Sequence, residues 1–296
     1  MVDATAAAAH PAATIAARPA ALVRAFGLGR RFGGLAAVDG VSIDLRVGEI
    51  HAVIGTNGAG KSTLVNLLSG ELAPSEGRVY IGDADVTRWP QPRRARAGLG
   101  RSYQRTTIFP EFSVLENCRL AAQARRPRPW RLWEDAAGDA TGIRDANAAL
   151  ASAGLASDAR RIAGTLSHGA KRQLEIAMCL ATAPRALLLD EPLAGMGAEE
   201  SARMLELLAA LRPTHAILLV EHDMDAVFRI ADRITVMVDG RVIASDVPDS
   251  IRADRSVQEA YLGEDGASTL AAGAVALPAE GMRPALGRPG ARPAPP

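Results

Sequence analysis

Cysteine is scarce: the 296 residues hold two, Cys118 and Cys179, far apart and in no CxxC or other metal-ligand spacing. That excludes a cysteine metal site and leaves a reduced cytosolic compartment as the simple expectation. Charge of one sign is also lacking. Lys and Arg total 34 against 33 Asp and Glu, a net charge of +1, so no global field argues for nucleic acid. The local basic clusters, Arg93–Arg96 and Arg125–Arg131, read as solvated faces. No run of about 18 apolar residues occurs, which excludes a membrane-spanning helix. The first twenty residues are Ala-rich but carry Asp3 where a signal peptide needs positive charge, and Pro11 breaks the apolar run. They read as a disordered tail, not a leader. Residues 266–296 are mostly Ala, Pro and Gly, with too few large apolar groups to fold alone, and read as a second tail.

What is present is organised around Gly55–Thr63, GTNGAGKST, which fits G-x-x-x-x-G-K-[ST]. An apolar strand (EIHAVIG) precedes it and a helical pattern (STLVNLLSG) follows, as a phosphate-binding loop requires. Gly55, Gly58 and Gly60 let the backbone bend close to phosphate oxygens. The amides of Thr56, Asn57 and Ala59 join theirs in an anion nest, and the helix N-terminus adds its dipole. Lys61 brings a mobile positive charge, and the hydroxyl of Ser62, ahead of Thr63, is placed to hold Mg²⁺. The competing reading, a Gly-rich turn that binds nothing, does not need both flanks.

In chain order, Ala21–Phe32 reads as a strand and turn. Val41–Leu45 alternates and is expected to pair with the strand from Glu49. Phe32 either plugs the sheet or offers a flat surface for adenine. Arg78–Thr87 reads as a hairpin turning at Gly82-Asp83, and Gly98–Tyr103 as a short strand ending at Gln104. Ser113 with Glu116 is a capping box for a helix to about Ala124. The segment with Trp130 and Trp133 is basic and aromatic; nucleic acid, a membrane interface or a loop closing a helical subdomain all fit, and the loop is favoured. A helix is expected over Asp135–Gly154. Leu166–Pro184 is helical by its apolar spacing, with Ser167 and Gly169 at its N-terminus as either an anion site or an ordinary cap. Ala186–Leu189 is a buried strand ending in Asp190-Glu191. Two carboxylates there suit a metal held through water and an oriented attacking water. Ala216–Val220 ends in Glu221-His222-Asp223, where His222 could reach a γ-phosphate. A hairpin at Asp239-Gly240 and two short helices close the fold. Helices join the strands at Glu49, Ala186 and Ala216, which favours parallel crossovers and one site beyond their carboxyl ends.

These pieces in this order resemble the ATP-binding subunit of ABC transporters over residues 21–265. GTNGAGKST is similar to Walker A, Gln104 to the Q-loop glutamine, LSHGA to the family signature, ALLLDE to Walker B and His222 to the switch histidine. The resemblance implies an α/β P-loop NTPase core with a mostly parallel sheet, an antiparallel β subdomain and a helical signature subdomain at about 105–183. It implies ATP and Mg²⁺ sandwiched between two such subunits. Phe32 would stack on adenine. Lys61 and the loop amides would hold one ATP, and Ser167 and Gly169 would touch the γ-phosphate of the partner's. Ser62, Gln104 and Asp190 would attend Mg²⁺, Glu191 would polarise the water and His222 would steady the transition state. RFGGLAAVDGVS, RSYQRTTIFPEFSVLEN, EHDM and VQEAYLGE look like the branched-chain amino acid importer ATPases. LSHG with DEPLAGM is also similar to urea and amide importers. Implied partners are two transmembrane permease subunits, a second cassette and, indirectly, a solute-binding protein, without nucleic acid, at the cytoplasmic face of the inner membrane. A soluble ABC ATPase acting on ribosomes or DNA is the rival; those usually carry two cassettes or a coiled-coil insertion. His168 and Ala170 depart from the signature LSGGQ, Gly197 replaces a common aspartate and Thr56 a common proline.

Overall fold

Alternating apolar residues in the middle of the chain are buried on both faces, and that two-sided burial forces a layered architecture. The computed structural model describes residues 20–103, 107–125 and 139–262. Both expected tails, Gln104, Trp130 and Trp133 therefore lie outside the described residues.

The central sheet has the order β10-β9-β3-β8-β7-β6. Its strands are β3 (Glu49–Gly55), β6 (Leu99–Arg101), β7 (Ala186–Asp190), β8 (Ala216–Val220), β9 (Arg233–Val238) and β10 (Arg241–Asp246). β6, β7, β8, β3 and β9 run parallel, and only β10 turns back. In β7, Leu187 and Leu189 enter one apolar cluster while Ala186 and Leu188 enter another; in β8, Ile217 and Leu219 alternate likewise with Ala216, Leu218 and Val220. Strands buried on both faces read as continuous apolar runs, and in a parallel sheet helices cover them. The hairpin before β10 turns at Asp239 and Gly240, with φ +47° and +79°, the left-handed pair of a type I′ turn.

A second, antiparallel sheet has the order β2-β1-β4-β5, with β1 (Ala21–Phe32), β2 (Leu35–Arg46), β4 (Glu76–Ile81) and β5 (Ala84–Asp85). One sequence expectation fails here. Val41–Leu45 does not pair with the Glu49 strand. It belongs to β2, which pairs with β1, whereas β3 takes β8 and β9 as partners. The physical reason is the two-residue turn at Val47 and Gly48, where Gly48 takes φ +88°. It carries the chain from one sheet to the other, and the doubly buried β3 satisfies its backbone with parallel neighbours.

Helix α1 (Lys61–Ser69) lies in the cluster between the two sheets, with Leu64, Val65, Leu67 and Leu68 buried. On the other face pack α3 (Val114–Arg125), α4 (Ala140–Ser152), α5 (His168–Ala181) and α6 (Ala198–Leu211). α4 thus ends as expected before Gly154, and the first residues of its expected span lie outside the described residues. Half of the expected capping box forms at α3: the Glu116 amide donates to the Ser113 hydroxyl at 3.1 Å, while the Glu116 carboxylate pairs with Arg119. α7 (Met224–Ile230), α8 (Pro248–Ala253) and α9 (Arg255–Leu262) close the β9–β10 edge.

A short helix, α2 (Gln91–Arg96), had no signal in apolar spacing, and it corrects a second expectation. The Arg93–Arg96 cluster is not a solvated face throughout, because Arg94 is 1% exposed. Its guanidinium donates to the carbonyls of Leu67, Leu68, Thr87 and Trp89. It therefore closes the last turn of α1, whose carbonyls have no intrahelical partner.

Candidate nucleotide site

β3, β8 and β7 are parallel neighbours, so whatever follows their carboxyl ends converges on one edge. Gly55 ends β3, Asp190 ends β7, and His222 stands two residues after β8. The convergence read from the strand order is what the sheet builds.

Residues 55–63 form a loop that opens directly into α1, with Gly60 as its N-cap at φ +94°. The structure adds a reason for two of the glycines. A Cβ on Gly55 would lie 2.1 Å from the carbonyl oxygen of Met237, and one on Gly60 would lie 2.2 Å from that of Ala37. β9 and β2 therefore press the loop into shape from outside. Lys61 is 8% exposed, and its Nζ donates to the carbonyls of Gly55 and Thr56 at 2.7 and 2.9 Å. Burial draws its pKa down, and the charges of Glu191 and Asp190 pull it back up.

Asp190 is buried, and its carboxyl is held above the usual range, chiefly by burial. The Ser62 hydroxyl donates to it, while its Oδ1 is buried with no hydrogen-bond partner. A hydroxyl and an under-satisfied carboxylate beside a phosphate loop are hard oxygen donors, the kind Mg²⁺ takes, with water and phosphate completing its shell. Among the described residues no group of three or more His, Cys, Asp or Glu could hold a metal alone. The donor set therefore fits a metal that arrives with its substrate.

Glu191 follows at φ +50°, a left-handed conformation that costs a non-glycine residue of order 1 kcal/mol or more. Its amide donates to the Val220 carbonyl at 2.9 Å, which ties the turn to β8. His222 Nδ1 lies 3.9 Å from Glu191 Oε1 and 3.9 Å from Glu221 Oε2. Sequence reasoning assigned Glu221 no part. It is 1% exposed and accepts from the Leu193 amide at 2.8 Å and the His222 amide at 3.3 Å. Burial raises its carboxyl pKa, and these two hydrogen bonds lower it. Glu221 thus pins the loop after Glu191 to the end of β8; a charged residue at a buried strand end was the available signal.

Phe32 ends β1 beside the turn into β2 and is 46% exposed, with the Arg30 guanidinium 4.9 Å from its ring centroid. It does not plug the sheet. β2 then runs past the loop, since Ala37 lies against Gly60.

Ser167 and Gly169 are not at this edge cluster. Ser167 caps α5, its hydroxyl accepting from the Ala170 amide at 3.2 Å. The same hydroxyl donates to Glu200 Oε1 at 2.9 Å, and the Gly169 amide donates to that oxygen at 3.3 Å. A carboxylate from α6 thus already occupies the donors of this helix end. His168, the departure from the signature, lies with Nε2 3.0 Å from the Ala194 carbonyl. Burial pushes both thiols, Cys118 and Cys179, up to about 12, so neither is a nucleophile near neutral pH.

Residues 38–194 match the family described as ABC transporter, and residues 241–267 match one described as branched-chain amino acid ATP-binding cassette transporter. The chain is 40% identical over 251 residues to the high-affinity branched-chain amino acid transport ATP-binding protein LivG of Salmonella typhimurium, covering 80% of this chain and 96% of that protein. It is 38% identical over 246 residues to the corresponding protein BraF of Pseudomonas aeruginosa, with the same coverage of 80% and 96%. A crystal structure of a nucleotide-free ATP-binding cassette from an ABC transporter matches with a TM-score of 0.74 at 29% identity, over 83% of this chain and 100% of that one. An ATP-binding cassette in its ADP conformation matches with a TM-score of 0.74 at 30% identity, over the same 83% and 100%.

Proposed function

The chain belongs to the ATP-binding subunits of ABC transporters, and from that premise we propose that it is the motor of a branched-chain amino acid importer, hydrolysing ATP between two such subunits. The observation that carries the ATPase reading is the convergence of the Gly55–Thr63 loop, Asp190, Glu191 and His222 at one edge of a parallel sheet. The solute class rests on the relatives' names and on the match of residues 241–267 outside the cassette core.

Each residue then has a task that its position suits. Phe32 stacks on adenine. The amides of residues 55–63 and the Lys61 ammonium, released from its two loop carbonyls, hold the phosphates. Ser62 and Asp190, with Gln104, would hold Mg²⁺, which when bound offsets charge building between the β- and γ-phosphates. Glu191 orients and polarises the attacking water from its fixed left-handed turn. His222 donates toward the γ-phosphate oxygens, and Glu221 holds it there through the backbone. Ser167 and Gly169 serve the partner subunit's nucleotide, so the active unit is a dimer.

No helix among the described residues is long and apolar enough to cross a membrane, so the reading places the chain peripherally, on two permease subunits at the cytoplasmic face. Phe109 and Phe112 supply a docking face: their rings stack at 5.6 Å, they are 50% and 44% exposed, and Ile162 beside them is 47% exposed. Buried Asn117 fixes this loop by bonding both the amide and the carbonyl of Phe109. Exposed apolar groups clustered in this way mark an interaction surface.

The test is affinity purification of the tagged chain from detergent-solubilised native membranes. Two multi-span permeases and a second cassette in the eluate are expected, and the companion binding protein should take branched-chain amino acids. Ribosomal proteins without any permease would overturn the importer reading, and a binding protein selective for urea or amides would overturn the solute.

A further inference from the structure

The turn between β9 and β10 lies on the outer side of the phosphate loop, and one residue of it is bonded in two directions. The Gly240 amide donates to the Ala59 carbonyl at 3.1 Å, and the Gly240 carbonyl accepts the Asp39 amide of β2 at 2.8 Å. Gly240 is buried and takes φ +79°. A Cβ on it would lie 3.0 and 3.1 Å from the carbonyl oxygens of Ala37 and Ala36, so glycine is what lets the turn come this close. The next residue, Arg241, clasps the same stretch of β2: its Nε and Nη2 donate to Asp39 Oδ2 at 2.9 and 2.6 Å. The turn, β2 and the loop therefore meet in one junction, held by two backbone bonds and an ion pair.

The bond to Ala59 orients the loop. A trans peptide unit is planar, so its carbonyl and the following amide point to opposite sides, and no peptide among the described residues is cis. The Ala59 carbonyl is drawn outward to Gly240, which turns the Gly60 amide inward. Gly60 is the N-cap of α1, where free amides face an anion. Gly58 and Gly60, at φ +80° and +94°, flank Ala59. Glycine on both sides gives this peptide unit little resistance of its own to rotation, so the bond from outside fixes what the glycines leave loose.

We propose that Gly240, with the Asp39–Arg241 clasp behind it, is a positioning residue for the phosphate loop, turning the Gly60 amide toward bound phosphate. It acts through Ala59. This rests on the reading of residues 55–63 as the nucleotide loop.

The test uses the full chain and three readouts: thermal melting, affinity for a fluorescent ATP analogue, and displacement of that analogue by inorganic tripolyphosphate. Gly240→Ala brings left-handed strain and pushes the turn off Ala59. It should weaken both ligands roughly tenfold, as the loss of one hydrogen bond to an anion is large enough to impose. Gly82→Ala is the matched control: Gly82 turns the β4–β5 hairpin at φ +57°, with nothing within 4 Å of a Cβ. It should lower the melting temperature by a similar amount and leave both affinities within about twofold of wild type. Asp39→Ala removes the clasp and keeps every glycine; it should weaken both ligands about threefold, and it carries the test where Gly240→Ala does not fold. Wild-type affinities in the folded Gly240 and Asp39 variants overturn the positioning role, and so does a Gly82 variant that loses as much affinity as the Gly240 variant. Lys61→Ala tests the underlying reading separately: unchanged affinity for both ligands there overturns the assignment of the loop to phosphate.

Discussion

Arg94 has four backbone carbonyls around its guanidinium and no carboxylate in hydrogen-bonding contact. Burial lowers its pKa to about 10, with Asp85 pulling the other way, so it stays charged at neutral pH. It closes the C-terminal turn of the helix whose N-terminus forms the phosphate loop. Arg94→Leu should therefore strand those carbonyls, costing roughly 3–5 kcal/mol and lowering the melting temperature by about 10 °C. Arg94→Lys should recover only part, because one ammonium cannot fork toward carbonyls on opposite sides. Differential scanning calorimetry of the three proteins checks this, and a Lys variant as stable as wild type would show that charge, not the fork, matters. The reading of Arg93–Arg96 as a solvated face went astray here because a charge run records which side chains are basic, not which one faces inward. Lys61, Asp190 and Glu191 were legible for the opposite reason: each sits in a local pattern whose spacing is itself the chemistry. Glu221, Glu175 and Glu200 were not, since each holds a donor that lies 28 to 68 residues away in sequence.

At the scale of elements, the N-terminus of α5 and the start of α6 are joined by a carboxylate. Glu200 Oε1 holds the Ser167 hydroxyl and the Gly169 amide, and a Cβ on Gly169 would lie 2.5 Å from the Glu200 carboxyl carbon. On the proposed dimer reading, a γ-phosphate from the partner subunit would take these same donors, and Glu200 would compete with it. In a Glu191→Gln background, where the proposed role of Glu191 predicts slowed hydrolysis and an accumulating ATP-bound dimer, Glu200→Ala should lower the ATP concentration for half-dimerisation about threefold to tenfold, the range for one partly exposed charged hydrogen bond. Size-exclusion chromatography with light scattering reads it, and a higher ATP requirement would mean that Glu200 shapes the helix end instead of competing for it. His168 joins the same two loops through Ala194, so the residue that departs from the signature has a structural task within the chain. Strands β7 and β8 and helix α1 were legible within a residue, and α5 within three, because doubly buried strands and one-faced helices imprint their periods on the sequence. The partner of β2 was not. Alternation says that a strand is half buried but not which sheet it joins, and the glycine turn at Gly48 decides that.

The whole molecule depends on how its two sheets are joined, and His51 lies at that junction. Its Nδ1 is 3.0 Å from the Asp44 carbonyl in β2, and its Nε2 is 2.7 Å from the Thr235 hydroxyl in β9, which is in turn 2.7 Å from the Ser245 hydroxyl in β10. A carbonyl only accepts, so Nδ1 carries the proton, Nε2 accepts from Thr235, and Thr235 accepts from Ser245. Around this chain, Arg233 pairs with Asp44 and Glu49, and Arg46 pairs with Asp44. A second proton on His51 has no acceptor in that arrangement. Burial first, and then the Arg233 charge, lower its pKa from 6.5 to about 4, against a smaller opposing pull from Asp44. The unfolded chain therefore binds this proton between pH 6.5 and 4 while the folded chain does not. The stability that the neutral ring provides is complete above pH 6.5 and is lost as pH falls to 4, a difference of roughly 3 kcal/mol. Asp44 does not share this window. Burial raises its carboxyl, but Arg233 and Arg46 outweigh that and hold it below 3.8, so its contribution is lost only at lower pH. Glu175, Glu221 and Asp190, whose carboxyls burial raises, act with the opposite sign and gain stability on acidification. The difference between wild type and His51→Gln removes those common contributions. Urea unfolding of both proteins from pH 7.5 to 4 should show wild type losing its advantage over the variant by roughly 3 kcal/mol across that range, and parallel curves would mean that the junction tolerates a charged ring.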